Sequence, residues 1–268
     1  MKLHRYCAPL LIVVASSAHA DTVPDLKKIV DVRTVSAEVD GEYLSYSGAF
    51  GGRRIVNAKS SVDLGKTNIS LGISHGARKS GEFKFKGTRL SATVVHDWSS
   101  RISTRTSASL ADNQPVFVNR ELVQDISYKP LPQTVLTVGG KYSRYFGGVD
   151  AVSWSVGAAQ YFRGGMVGYR FSSYNVQHLG NTTGHLVSLK VNDPAGSNQL
   201  WLGHGTALHD TTWLANPEKG KFRSAELRRV QPIGGGVSVM LGVNRIWYTT
   251  ESAKYHGTGA RVGFIFAK

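Results

Sequence analysis

Cysteine is nearly missing from this chain: one residue, Cys7, in 268. The segment around it reads as a cleaved leader, so the mature part is expected to hold no thiol. That excludes a disulfide scaffold, a thiolate metal site and a cysteine nucleophile. Proline is also sparse, at 8 residues, and acidic side chains number 18 against 32 lysines and arginines. Beyond residue 20 no apolar run approaches the roughly 20 residues that a membrane helix needs. A membrane protein without such a run must cross as a closed barrel, because an open sheet edge cannot face lipid.

Glycine, by contrast, is abundant, with 30 residues, and aromatic residues make up 10%. So much glycine disfavours a helical protein. So many aromatics, within a hydrophobic fraction of 41%, argue against disorder. Residues 1–20 have the three parts of a Sec signal peptide. Lys2, His4 and Arg5 form a positive start, Pro9 to Ser16 a short apolar core, and Ala18-His19-Ala20 a small-x-small cleavage site. Asp21 then begins the mature protein. Residues 21–31 (DTVPDLKKIVD) lack a strand pattern and read as a periplasmic tail, leaving 32–268 for one folded domain. The formal net charge of +14 falls to +12 without Lys2 and Arg5. In an exported protein this excess points to lipopolysaccharide phosphates, an acidic polysaccharide or an anionic solute, and away from nucleic acid.

From residue 33 onward one theme repeats: about ten residues of alternating character, then turn residues, the signature of a transmembrane barrel. Val237, Val239, Leu241 and Val243 share a face, opposite Ser238, Met240 and Gly242. Ala260, Val262, Phe264 and Phe266 share another, opposite Gly259, Arg261, Gly263 and Ile265. Side chains alternate across a strand in this way. A soluble sandwich alternates too, so three further features decide. Many segments run to about 10–15 residues, against a usual five or six. Aromatics mark segment ends, as in an interfacial girdle: Tyr142, Phe146, Tyr161, Phe162, Trp247, Tyr248, Phe264 and Phe266. The faces opposite the apolar ones carry charges, which a sandwich core would reject.

The expected fold is all-β, an antiparallel transmembrane β-barrel of fourteen strands. They begin near residues 33, 53, 66, 82, 101, 120, 132, 149, 165, 182, 196, 220, 235 and 256. Before residue 80 the count is open, because Val39-Asp40-Gly41-Glu42 either breaks one strand or joins two, so twelve or sixteen strands also fit. Short connections at 98–100, 129–132, 163–164, 193–196 and 232–235 read as periplasmic turns. Longer ones near 111–120, 145–150, 177–183, 209–221 and 249–256 read as outer loops. Both termini then lie in the periplasm.

The stretches YFRGGMVGYRFSSYNV (161–176), HLVSLKVNDPAGSNQLWLGHGTAL (185–208), FRSAELRRVQPIGGGVSVMLGVNR (222–245) and GARVGFIFA (259–267) resemble the YaiO family of outer-membrane β-barrel proteins. The resemblance is clearest from about Arg120 to the end and looser from Arg33 to Asp97. It implies a barrel in the bacterial outer membrane and names no solute. Such barrels commonly finish on an aromatic residue that the barrel assembly machinery, an implied partner, reads. Here Phe266 is followed by Ala267 and Lys268.

An arginine or lysine facing lipid at mid-membrane costs about 2–4 kcal/mol. Arg105, Asp125, Lys141, Arg170, Lys190, Glu226 and Arg228 are therefore expected to face the lumen. They make either a positively biased channel or binding interior, or a plug in which opposite charges pair. Arg78, Lys79, Lys219, Lys221 and Lys254 read as loop cations in contact with lipopolysaccharide. Hydrolase chemistry would need a Ser–His–acid group at the rim. His204, His209 and Asp210 lie near one loop, His178 and His185 near another, and Ser172 and Ser173 close by, all without a specific spacing. His204 and His209, five apart, fall on opposite faces of a strand and do not share a metal. Gly65-Lys66-Thr67 imitates the end of a P-loop, but Ser60 stands where its first glycine belongs. No catalytic residue, metal or cofactor is assigned. The expected function is a passive channel or binding barrel for a hydrophilic, anionic solute or saccharide. The alternatives are a closed structural or assembly barrel of the envelope and a lipid- or polysaccharide-modifying hydrolase.

Overall fold

Runs in which Val, Ile, Leu and aromatic side chains alternate with Ser, Gly and Arg suit a pleated surface with two unlike faces. In a computed structural model every such run is a strand. The structure describes residues 34–209, 218–251 and 253–268, without the side chains of 49, 207–209, 218 and 219. The expected leader (1–20) and tail (21–31) lie outside the described residues, as does Asp210.

The strands are β1 (Val35–Tyr46), β2 (Gly52–Asp63), β3 (Thr67–Ser80), β4 (Phe83–Asp97), β5 (Ile102–Ala111), β6 (Arg120–Leu131) and β7 (Thr134–Arg144). There follow β8 (Asp150–Phe162), β9 (Gly165–Val176), β10 (Gly180–Asp193), β11 (Gly196–His209), β12 (Glu218–Gly234), β13 (Val237–Thr250) and β14 (Lys254–Ala267). Each pairs antiparallel with its sequence neighbours, and β1 closes on β14 from Ser36↔Ala267 to Tyr46↔Gly257. The barrel thus has fourteen strands, each beginning within two residues of its expected start.

β1 runs unbroken through residues 39–42. Gly41 faces out, while Asp40 and Glu42 face in and have partners there. Asp40 accepts from Arg261 at 2.8 Å and from Asn57 at 2.9 Å, and Glu42 accepts from Arg53 at 2.8 Å. The ambiguous acidic stretch is therefore an inner wall, not a turn.

The start of β1 and the end of β14 lie at one end, where the Val35 amide donates to the Lys268 carbonyl at 3.0 Å. This is the terminal end; the other is the loop end. Strands extend further into the loop end than expected. The connections there include 47–51, 112–119, 145–149, 177–179 and 251–253, and β3 turns into β4 through Gly81-Glu82 alone, with φ +57° at Gly81. The strands are tilted. The ladder leaving β1 at Ser36 passes Ser61, Ser70, Thr93 and Ser107 and reaches the loop end at Tyr174 and Thr182.

One face of every strand is apolar and exposed. Val56, Leu71, Leu90, Val138 and Val243 are each 58–61% exposed, a continuous apolar belt that only lipid would cover. Tyr142, Phe162, Trp247, Phe264 and Phe266 join this face near its rims. Tyr161 and Tyr248 do not. Each neighbours an outward aromatic in sequence, and successive residues of a strand point to opposite sides. Tyr161 shares its inward side with its partner Met166, and Tyr248 is buried inside, stacked on Tyr255 with ring centroids 5.0 Å apart. Phe146 lies in a 3-10 turn between β7 and β8. These three are corrections to the expected girdle.

Val138→Arg, on the lipid face of β7, should destabilise the folded barrel by about 2–4 kcal/mol. Thr137→Arg, one residue earlier on the inner face, should cost about 0.5 kcal/mol or less. Urea titrations of the protein refolded into lipid vesicles would measure both; equal costs would contradict the assignment of faces.

Candidate functional site

The inner wall is built by the other half of the same alternation. Register places Arg105, Asp125, Lys141, Arg170, Lys190, Glu226 and Arg228 on it. Asp125 is the centre of one group. It accepts from Arg170 at 2.5 Å and lies 3.7 Å from Arg105. Arg170 stands three strands away, and it reaches across because the side chains between are small. Ser155 accepts from its Nε at 3.0 Å, and a Cβ at Gly139 would collide with both the Asp125 carboxylate and the Arg170 guanidinium. Lys141 pairs with Glu121 at 2.5 Å. Arg228 pairs with Glu226 at 2.8 Å and lies 4.8 Å over the Trp201 ring.

The inner wall holds more charge than the sequence reading named. Glu38, Asp40, Glu42, Arg53 and Arg261 form a network across β14, β1 and β2, with Arg261 bridging Asp40 at 2.8 Å and Glu38 at 3.3 Å. The signal was the same alternation, obscured by the unsettled strand boundaries before residue 80. Among the described residues ten basic side chains of the strands face inward against eight acidic ones, and two of the acids, Asp63 and Asp97, stand at terminal-end turns. Among the described residues Lys59, Arg89 and Lys190 have no carboxylate within ion-pair distance.

At the loop end the wall becomes apolar. Leu44, Tyr46, Phe222, Ile246, Tyr248 and Tyr255 form one buried cluster, with Phe50 of the β1–β2 connection packed on it. Val149, Ala151 and Val176 form another, flanked by Tyr145, Tyr174 and Leu179. The third comes from a connection expected to lie outside. Residues 112–119 fold inward, and Val116 and Phe117 are buried against Ile55. Their seat is the register pair Gly76↔Gly87. A Cβ at Gly76 would come within 2.8 Å of Val116 and 3.0 Å of Phe117. Asp112 hinges the segment by accepting from the Thr88 amide at 2.7 Å, and the Arg89 guanidinium lies 5.1 Å over the Phe117 ring.

The loop cations divide. Lys79, Lys221 and Lys254 are exposed on the outer surface, and the side chain of Lys219 lies outside the description. Arg78 is a correction. It follows the inward parity of β3, is 3% exposed and lies 5.8 Å from the Tyr46 ring. Among the described residues no hydrogen bond joins a histidine candidate to a serine candidate. His185 and His204 are register partners on the outer face, their rings stacked at 4.9 Å, and His185 Nδ1 bonds the Tyr169 hydroxyl at 2.8 Å. Ser172 faces inward and Ser173 outward. His178 is in the β9–β10 connection with φ +69°, and the side chain of His209 lies outside the description. Among the described residues no group of three His, Cys, Asp or Glu side chains could hold a metal.

A closed fourteen-strand wall of this kind has known relatives. A model of the YaiO membrane beta barrel domain matches residues 34–209. The chain belongs to the YaiO membrane β-barrel family. Among solved structures, this YaiO-family barrel is similar to the CymD monoaromatic hydrocarbon channel, at 7% identity and a TM-score of 0.61 over 88% of each chain. It is also similar to an anion-selective porin from Comamonas acidovorans, at 9% identity and a TM-score of 0.49 over 88% of this chain and 99% of that one. A third likeness is to OprD of Pseudomonas aeruginosa, at 8% identity and 0.46, over 89% and 96%. The YaiO-family chain is thus a membrane β-barrel whose fold resembles that of a channel protein.

Asp125→Ala would leave Arg105 and Arg170 without their shared carboxylate, and should cost about 1–3 kcal/mol in urea unfolding. Asp125→Glu should recover part of that loss; a neutral Asp125→Ala would mean that the group carries no stability. Gly76→Val should unseat residues 112–119 without breaking the β3–β4 ladder. Chymotrypsin should then cut the folded barrel after Phe117, which it should spare in the parent protein.

Proposed function

We propose that the barrel is a passive outer-membrane channel for small hydrophilic anions, saccharide acids among them. The carrying observation is the set Lys59, Arg89 and Lys190, inward cations with no carboxylate partner among the described residues, in a wall whose other charges are largely ion-paired. Paired charges hold their side chains against the wall and largely cancel at a distance. Unpaired ones set the sign of the field that a solute meets. In this reading residues 1–20 direct export, the terminal end faces the periplasm, the assembly machinery inserts the barrel, and no step of catalysis occurs. His185 Nδ1 is engaged by the Tyr169 hydroxyl, and among the described residues no carboxylate bonds His185 or His204 to orient it, which supports a barrel without hydrolase chemistry.

Planar-bilayer recordings across a potassium chloride gradient test the proposal. The reversal potential should show anion preference, and Lys59→Glu with Lys190→Glu should move it toward cations. A conducting barrel that prefers cations, or one indifferent to both substitutions, would sink it.

One observation favours a second reading, a barrel closed at its loop end. The three apolar clusters and the inward fold of residues 112–119 narrow that mouth. A parent protein that does not conduct, made conductive by Gly76→Val, would establish that reading in place of the first.

A further inference from the structure

Lipid-facing charge is tolerated only where the apolar belt ends, because its cost falls steeply from mid-membrane to the interface. At the loop end of β12, β13 and β14 the outer face changes character abruptly. Leu227 and Val243, 50% and 58% exposed, belong to the belt. Above Val243 stands Arg245, level with Ala225; one row further stands Arg223 beside Trp247, and above that Lys221 and Lys254. Arg223 is the register partner of Trp247, two residues beyond Arg245 on the same strand, so the two arginines are diagonal neighbours. Their Cα atoms lie about 7–8 Å apart. Lys221 and Lys254 flank Thr249 in the next row.

These four cations are exposed, and among the described residues none has a carboxylate within ion-pair distance. Arg245 donates to Thr258 at 2.9 Å and lies 5.7 Å from the Trp247 ring; Arg223 makes no hydrogen bond among the described residues. Like charges crowded on neighbouring strands repel each other. They persist together where an anion sits between them, and guanidinium groups match the oxygens of a phosphate.

The geometry points to a binding site on this outer face for a phosphorylated, multiply acylated glycolipid of the lipid A type. Four cations spread over three successive rows suit a headgroup with two phosphates, where a phospholipid offers one. The exposed Leu202, Leu227 and Val243 beneath offer a surface for several acyl chains, and Trp247 sits at the boundary between the two. The inference rests on the outer-membrane location proposed above but not on conduction, so a barrel that passes no ions could still carry the site.

Native mass spectrometry of the full barrel in detergent tests it, with bisphosphorylated lipid A, the same lipid stripped of both phosphates, and phosphatidylglycerol as probes. The bisphosphorylated lipid should be retained at least about tenfold better than either of the others. Arg223→Gln with Arg245→Gln should weaken its retention by about tenfold or more, while Lys84→Gln with Lys86→Gln, on the far strand β4, should change it less than about twofold. Equal retention of the dephosphorylated lipid or of phosphatidylglycerol would overturn the inference, as would an unaltered affinity in the arginine variant. The comparison of lipids on the parent protein decides the matter even if the variant fails to fold.

Discussion

Every backbone amide and carbonyl within a bilayer must find its partner inside the protein. In this chain that requirement is met at the seam between β1 and β14, where the first and last strands pair along nearly their whole length. Once the seam closes, no edge is left, and the strands have only two environments to offer, lipid outside and the enclosed space within. The two-residue period of the strand then sorts the whole sequence. Each residue's position in the alternation decides whether it meets acyl chains or the inner wall, and most of the chemistry follows from that parity.

The interior shows what a wall of this kind does with charge. Asp125, Arg105 and Arg170 come from strands β6, β5 and β9, and they meet because glycine and serine occupy the positions between them. Small residues here work as clearance for long ones. The same device recurs at Gly76 and Gly87, where missing side chains leave room for a chain segment instead of a guanidinium. Space on the inner wall is thus allotted by pairs of unlike size. The outcome is a wall that is ion-paired and polar toward the terminal end and aromatic toward the loop end.

Much of this was legible in the sequence. Strand number, strand starts and the inward side of the named charges all follow from counting by twos, which needs no knowledge of packing. What escaped has a common physical cause. Tyr161, Tyr248 and Arg78 were judged by their nearness to a strand end, although Phe162, Trp247 and Lys79 next to each had already claimed the outer face. The inward fold of residues 112–119 depends on glycines some thirty residues earlier in the chain, and no local pattern in Asp112 to Asn119 reports it. Asp40 and Glu42 resembled a turn until their partners on β2 and β14 were known.

Parity also bears on how such a chain can change over time. Inserting or deleting one residue in the middle of β2 would turn Arg53 toward the acyl chains and Val56 toward the ion pairs, together with every residue on one side of the change. A substitution alters one position; a single-residue indel inverts half a strand. Length variation among descendants of this barrel should therefore collect in the connections, or enter strands as a bulge like that at Pro232 and Gly234 near the end of β12, where the pairing shifts register. The wall is under a rule of even steps, and only its ends are free to count otherwise.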